Sequence, residues 1–375
     1  MIRKPIRFDQ LLPTYMKYDA IGTHVSLIQK LLRERGFESE IFAERFPAGV
    51  DCRDVNQYSD RTSKDSALIY HYSTGSNIVH NLLQQKGFRV VDYHNITPAK
   101  YLMEPEEWNA HWICKLGRLQ MPLVRIAADV CWADSGYNAG ELREANFPEC
   151  MVLPVLRDYE RLGSFKDVDS LAFQMKDGRK NILFVGRIAA NKGFHDILFL
   201  FKLYKQHIDN DVRLIFVGTP SPVYQRKIQR LIRELGLSWG TSVKKGGETV
   251  DVVMPGAVRD EELATYYRHS HLFLCASDHE GFCVPLVEAM FFEVPIIAHI
   301  SSAVPETCED AALLVDKSDE VSVLEKMRAI LKSPELSGEL KLKARKRSEY
   351  FKWDFLVRIF DGCLEKTLKV YSEWY

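Results

Sequence analysis

Apolar and polar positions along this chain follow two rhythms. Short apolar runs, bounded by glycine, proline and acidic residues, read as buried strands. Between them apolar residues recur three and four apart, as on one face of a helix. In the first half the runs are Ile6–Leu12, Glu40–Ala43, Ala67–Tyr72, Phe88–His94, Asp129–Ala133 and Met151–Val155. In the second they are Asn181–Arg187, Val212–Gly218, Val252–Pro255, His271–Cys275, Val294–Ala298 and Ala312–Val315. Val25, Leu27, Ile28, Leu31 and Leu32 have helical spacing and stop at Gly36, with Pro13 to Gly22 as the loop before them. Strands alternating with helices predict parallel sheets.

The stretch from Arg157 to Arg179 is polar, with little sustained periodicity, and reads as a link between two domains. Glu104–Ala128 reads as a helix with Trp108, Trp112, Ile113, Leu116, Leu119 and Leu123 on its apolar side and Lys115, Arg118 and Arg125 nearby. Packing on a sheet is the expectation for that side; an anionic membrane surface is the alternative. The tail gives two helical segments. Lys341, Lys343, Arg345, Lys346 and Arg347 read as a solvated basic face, with a polyanion or membrane contact as the alternative. Phe355, Ile359, Phe360, Cys363, Leu364 and Leu368 form a face that must bury against something.

Composition narrows the class little. The chain has 375 residues, 46% hydrophobic and 27% charged, and a net charge of -1. Such a balance gives no argument for nucleic acid binding. Eight scattered cysteines without a CxxC pair read as buried free thiols, which suits a cytoplasmic protein. No signal-peptide h-region follows Met1, and no apolar run reaches the length of a spanning helix.

Candidate chemistry concentrates at Cys275–Met290. An apolar strand ends there, Ser277 to Gly281 turn, and a helix opens with Pro285 near its first turn. Free N–H groups and the helix dipole make such a start an anion site. Glu280 and Glu288 bracket it. In the same half, Gly186-Arg187 and Lys192-Gly193 follow another strand. A planar guanidinium and a compact ammonium suit a diphosphate. His94 stands at a strand end, where open α/β sheets bind ligands. Gly22 stands near the start of the first helix, as a residue that lets a ligand approach the backbone. The His269-x-His271 pair begins an apolar strand and is not read as a metal site.

Val185-Gly-Arg187 with Lys192-Gly193, then Glu280-Gly-Phe-Cys-Val-Pro-Leu-Val-Glu288, resembles the family 4 glycosyltransferases, E-x7-E element included. Val217-Gly218, Gly256 to Leu263 and Val304-Pro-Glu306 extend the likeness. The resemblance implies an α/β fold of the GT-B type, with two Rossmann-like parallel-sheet domains facing across a cleft. It places an acceptor-side domain at 1–156, a link at 157–180, a nucleotide-sugar-binding domain at 181–350, and a helix at 351–375 crossing back to the first domain. It implies catalytic roles for His94, Glu280, Arg187 and Lys192. Arg187 and Lys192 would neutralise the donor diphosphate, Glu280 would bind sugar hydroxyls, and Glu288 the ribose. Gly22, Gly186, Gly281, Phe282, Cys283 and Val284 would line the donor, with the base near Val258. Two departures stand out. Ile21-Gly22 replaces the usual two glycines, and Ser301-Ser-Ala-Val304 lacks the usual glycine before Pro305-Glu306.

The expected function is retaining transfer of a hexose (mannose, glucose or rhamnose type) from a nucleotide-diphosphate sugar. The expected acceptor is a glycan or polyprenyl-linked sugar in surface polysaccharide biosynthesis. Neither a cofactor nor a metal is expected, and no nucleic acid partner; the site of action would be cytoplasmic, peripheral at the inner face of the membrane. The alternative is a nucleotide-sugar-binding protein without turnover. A nicotinamide dehydrogenase ranks last, because no GxGxxG follows the first strand.

Overall fold

The computed structural model describes residues 4–17, 19–58, 63–104, 107–245 and 247–374. The chain divides into two units, one running to Arg157 and resuming at Trp353, the other Asp158–Lys352.

In the first unit the strands are β1 (Arg7–Thr14), β2 (Ile41–Arg45), β3 (Arg53–Asp54), β4 (Ser66–Tyr72), β5 (Phe88–Tyr93), β6 (Val130–Ala133) and β7 (Cys150–Val152). They form one parallel sheet in the order β3-β2-β1-β4-β5-β6-β7. The order reverses between β1 and β4. Strands covered on both faces need not alternate in polarity, and every residue of β4 is buried. The helices are α1 (Ala20–Glu34), α2 (Val79–Gln84), α3 (Trp108–Ala127) and α4 (Gly136–Glu144). Asp19 caps α1 by accepting from the Gly22 N–H, one of the donors a helix start leaves without a partner.

The second unit opens with α5 (Tyr159–Ser164) and α6 (Asp169–Met175). The expected link at 157–180 is therefore helical and belongs to this unit. Its turns are too short to show periodicity. They are held by capping from Asp158 and by the Val168 N–H donating to Thr265 Oγ1 at 2.9 Å.

Then follow β8 (Lys180–Val185), α7 (Phe194–His207), β9 (Val212–Val217), α8 (Pro222–Glu234), β10 (Trp239–Gly240), β11 (Lys244–Lys245), β12 (Glu248–Thr249) and β13 (Val252–Gly256). The unit continues through α9 (Asp260–Arg268), β14 (Leu272–Cys275), α10 (Val284–Phe291), β15 (Ile296–His299), α11 (Val304–Cys308), β16 (Ala312–Val315), α12 (Glu320–Lys332) and α13 (Pro334–Ser348). The sheet order is β10-β13-β9-β8-β14-β15-β16, all parallel, with its reversal between β8 and β14. Ile182, Phe184, Leu214, Phe216, Leu272 and Leu274 from the central strands share a buried core with Phe194, Leu198 and Phe201 of α7.

The last helix, α14 (Trp353–Trp374), belongs to the first unit. Phe360, Cys363, Leu364, Leu368 and Tyr371 are buried. The Trp132 indole N–H on β6 donates to Thr367 Oγ1 at 3.2 Å, and Arg35 pairs with Asp361.

The apolar side of α3 departs from expectation. Trp108 is 54% exposed, Trp112 55%, Leu119 73% and Ile126 68%. The helix buries Gly117, Val124 and Ala127 instead. Small residues face the sheet because the backbones come close: a Cβ on Gly117 would meet the Gly75 nitrogen at 2.7 Å. Residues 105 and 106 of the expected helix lie outside the described residues.

Candidate active site

The second unit supplies the more complete site. Parallel sheets bind ligands where the strand order reverses, outside the carboxyl ends. Both candidate segments leave that point, one from β8 and one from β14. Gly186 follows β8 and donates its N–H to Val217 O at 3.0 Å; Gly218 follows β9 and donates to Gly256 O at 2.9 Å. A Cβ on Gly218 would lie 2.0 Å from Gly186 O, so the two loops touch through backbone alone.

Arg187 is exposed and forms no ion pair among the described residues. Lys192 ends a short 3-10 turn, and Gly193, at φ 64, starts α7. A Cβ on Gly193 would sit 2.1 Å from the Ala276 carbonyl oxygen. The two loops are stitched together there. The Asp278 N–H donates to Asn191 O at 2.8 Å, and Lys317 Nζ binds Asp196 and Asp278, each at 2.7 Å.

Lys192 Nζ meets Glu280 Oε1 at 2.7 Å, with side-chain exposures of 22% and 8%. Burial works against the Lys192 charge, yet the Glu280 carboxylate holds the ammonium above its ordinary range. Beyond Glu280, Gly281 is half-buried, and Phe282 and Cys283 are buried. Cys283 takes a left-handed conformation, φ 72, at the start of α10, and Val284 is the first residue of that helix. Glu288 lies inside the helix, 3% exposed, and accepts from the Tyr267 hydroxyl at 2.8 Å. Val258, half-buried, follows β13.

The structure thus joins Lys192 and Glu280 directly. It sets Gly186, Gly193 and the 276–283 turn around one sheet edge.

Sequence reasoning missed what holds the turn. The Glu280 N–H donates to Ser302 Oγ at 3.2 Å, and the Ser301 hydroxyl donates to Ser277 O at 2.5 Å. Thr307 donates to Phe282 O at 2.6 Å, and Arg347 donates to Thr307 O at 3.1 Å. The segment without its usual glycine therefore acts as a brace, with Ser302 itself at φ 45. Much of the basic tail is engaged too: Arg345 pairs with Glu293 and Arg347 with Glu309, each at 2.7 Å.

In the first unit, His94 follows β5 and is not open for a ligand. Its side chain is 1% exposed. Nδ1 lies 2.9 Å from Asp134 Oδ1, and Nε2 lies 3.0 Å from His71 Nδ1. Both ring nitrogens are engaged by protein. The cluster, unforeseen from sequence, continues through His24, Asp92 and Gln10. The visible signal was polar His71 and Asp92 inside apolar strand runs. Gly22 is likewise no backbone window. The helix starts two residues earlier than it, at Ala20, and its Cβ position lies 1.9 Å from Met16 O. Closeness to the chain's own backbone explains the glycine.

Among the described residues, two groups have the spacing of metal ligands: His24, Asp92, His94 and Asp134, and Cys275, Glu280 and Cys283. Neither donor set fits well. The Leu156 N–H points at His24 Nδ1 (2.8 Å), which puts the ring proton on Nε2, the atom facing Asp92. In the second group the Lys192 ammonium already holds Glu280. His269 bonds Asp167 at 2.7 Å, and His271 Nδ1 accepts from the Asn181 N–H at 3.1 Å.

Residues 167–347 match the family model described as glycosyl transferases group 1. The chain has the GT-B fold. The structure of Anabaena Alr3699/HepE in complex with UDP and glucose matches over 96% of this chain and 100% of that one, with a TM-score of 0.68 and 14% identity. Among curated proteins, an MMP alpha-(1->4)-mannosyltransferase of Mycolicibacterium hassiacum is 29% identical over 209 residues, 54% of this chain and 47% of that protein. The O-antigen chain mannosyltransferase B of Escherichia coli is 26% identical over 117 residues, 31% of this chain and 29% of that protein. The chain spans about half the length, or less, of these relatives. The family match covers the second unit's glycine loops, Lys192, Glu280, Glu288 and the bracing segment.

Proposed function

We propose that the protein is a glycosyltransferase that moves a hexose from a nucleotide-diphosphate sugar to a glycan or polyprenyl-linked acceptor in surface polysaccharide assembly. The observation that carries this reading is the Lys192–Glu280 pair at the strand-order reversal of the second sheet. The mannosyltransferase relatives favour a mannosyl donor, and the neighbour solved with UDP and glucose supports a nucleotide-sugar site.

Breaking the donor's C–O bond builds positive charge on the sugar and negative charge on the diphosphate. Arg187, Lys192 and the start of α10 would stabilise the latter, as preorganised donors do in a site shielded from water. Glu280 would bind sugar hydroxyls while it fixes Lys192, and Glu288 would bind the ribose. Retention follows from front-face substitution, in which the departing phosphate takes the acceptor proton. The Lys192 ammonium, fixed by Glu280, and the exposed Arg187 guanidinium would supply cations at the diphosphate, so the reaction is proposed to run without a metal.

Transfer assayed with UDP-, GDP- and dTDP-sugars, with the product anomer read by NMR, tests this. Loss of transfer in Glu280→Ala and Arg187→Ala supports it. Wild-type rates in both variants contradict it. Donor binding without transfer or slow hydrolysis would favour a binding protein.

Among the described residues, no helix is long and apolar enough to cross a membrane. The open stripe of α3 supports peripheral contact with an anionic bilayer, where a lipid-linked acceptor resides. The helix carries exposed Lys115 and Arg125 and no acidic residue, while Arg118 pairs with Glu141 at 3.2 Å. Co-sedimentation with phosphatidylglycerol vesicles, lost in Leu119→Ser/Ile126→Ser, is the expected result. A dimer abolished by the same substitutions would assign the stripe to a second copy instead.

A further inference from the structure

The cluster around His94 allows its protons to be placed from two backbone groups. Val25 O must accept, so the Gln10 atom 3.1 Å from it is the amide nitrogen, and Gln10 Oε1 faces His71. His71 Nε2, 2.9 Å from that oxygen, therefore carries a proton. The Leu156 N–H must donate, so His24 Nδ1 accepts, and the proton of His24 on Nε2 points to Asp92 Oδ2 at 3.0 Å. His94 Nδ1 lies 2.9 and 3.1 Å from the two Asp134 oxygens, acceptors only, and so carries a proton as well.

One contact remains, His71 Nδ1 to His94 Nε2 at 3.0 Å. Two bare lone pairs at that distance repel, so one nitrogen is protonated. The ring planes are 11° from parallel and the centroids 5.2 Å apart, as an edge-to-edge N–H···N bond allows. Asp92 Oδ2 stands 3.2 Å from His71 Nδ1 and 3.6 Å from His94 Nε2 and stabilises the charge.

We infer that His71 and His94 share one extra proton, so that the buried cluster of the first unit holds a fixed imidazolium on His94. Asp92, Asp134 and His71 hold that charge in place. The groups facing His94 are Asp19 at the cap of α1, His24 on α1, His71 on β4, Asp92 on β5, and Asp134 after β6. Three carboxylates outweigh the histidines. Although burial opposes the charge, Asp134 and Asp92 push His94 up to about 9, whereas burial pushes His71 down to about 4. The resident charge thus belongs mainly to His94.

The assignment rests on the first unit alone and does not depend on the proposed transfer reaction.

The experiment has two arms on the full chain. In 15N-histidine-labelled protein, His94 is assigned as the signal lost in His94→Asn. Both its nitrogens are expected to be protonated at pH 7.5, and to remain so until about pH 9. A neutral His94 at pH 7.5 overturns the inference whether or not any transfer is found. In the second arm the same His94 signal is titrated in two variants. Asp134→Asn, which keeps an acceptor but removes a charge, is expected to move the titration at least one pH unit toward neutrality. His71→Gln, which still offers His94 an acceptor, should leave His94 protonated at pH 7.5. A titration that Asp134→Asn leaves unmoved overturns the inference.

Discussion

Both sheets reverse their strand order near the centre, and the two units use that point in opposite ways. Each sheet runs outward from a central reversal, β1 against β4 in the first and β8 against β14 in the second. At the first reversal the charges are closed on one another: His24, His71 and Asp92 are fully buried, and His94 and Asp134 nearly so. At the second, Arg187 stands exposed and Lys192 keeps a fifth of its side chain open. Charge spent on internal partners cannot also bind a ligand, whereas charge held at a loop mouth can. This contrast is why the donor is proposed to bind the second unit.

The contrast can be broken at several points, taken from the largest expected effect to the smallest. Glu280→Ala or Lys192→Met should lower kcat by about 10²–10³-fold, the scale of a lost preorganised electrostatic contact, measured as transfer at saturating donor. Each leaves the other charge half-stranded, so unchanged rates would remove the pair from the chemistry. Asp92→Leu in the first unit should instead cost stability, about 3–5 kcal/mol, because it leaves the buried His24 Nε2–H without its acceptor and removes one of the carboxylates that balance the His94 charge. Denaturant unfolding checks it, with a loss below 1 kcal/mol as the contrary result. Gly193→Ala should weaken donor binding and stability together, by about 1–3 kcal/mol. Its Cβ meets the backbone at Ala276, which no side-chain rotation relieves; titration with the donor reads the loss.

Stability against pH gives a smaller signal with a definite sign. The folded pKa of His94 is raised to about 9, so its contribution is complete below the unfolded value, about 6.5, and is lost as pH rises through about 9. That of His71 is depressed to about 4, so stability falls as pH drops from about 6.5 toward 4. The pair alone predicts a Tm maximum near pH 6.5, and Asp134→Asn should flatten the alkaline side. A Tm still rising between pH 7 and 9 would contradict the assignment. The smallest effect belongs to the α3 stripe, where Leu119→Ser should change stability by no more than about 0.5 kcal/mol, since the side chain touches mostly water.

Much of this was legible in the sequence because it is local. Apolar runs such as Val212–Gly218 and Ala312–Val315 locate strands within a residue or two of β9 and β16. Glycines and charges after β8 and β14 mark the loops that come together. What could not be read depends on three dimensions. The cluster of His24, His71, Asp92, His94 and Asp134 joins residues up to 110 positions apart, a separation the sequence numbering gives directly. Nothing in the Phe88–His94 run tells an inward histidine from one at a ligand. The choice between a packed and an open apolar side of α3 is hidden for the same reason. Its spacing is that of a packed helix, and only the contact of Gly117 with Gly75 shows that the small residues face inward.

The most direct test of the central claim is the dissociation constant of the preferred nucleotide sugar, measured by titration calorimetry on wild type and on Arg187→Ala/Lys192→Met. The account predicts saturable binding by wild type, weakened at least about 100-fold in the double variant, equivalent to about 2.7 kcal/mol. Equal affinity in the two proteins would contradict the assignment of the diphosphate to these loops.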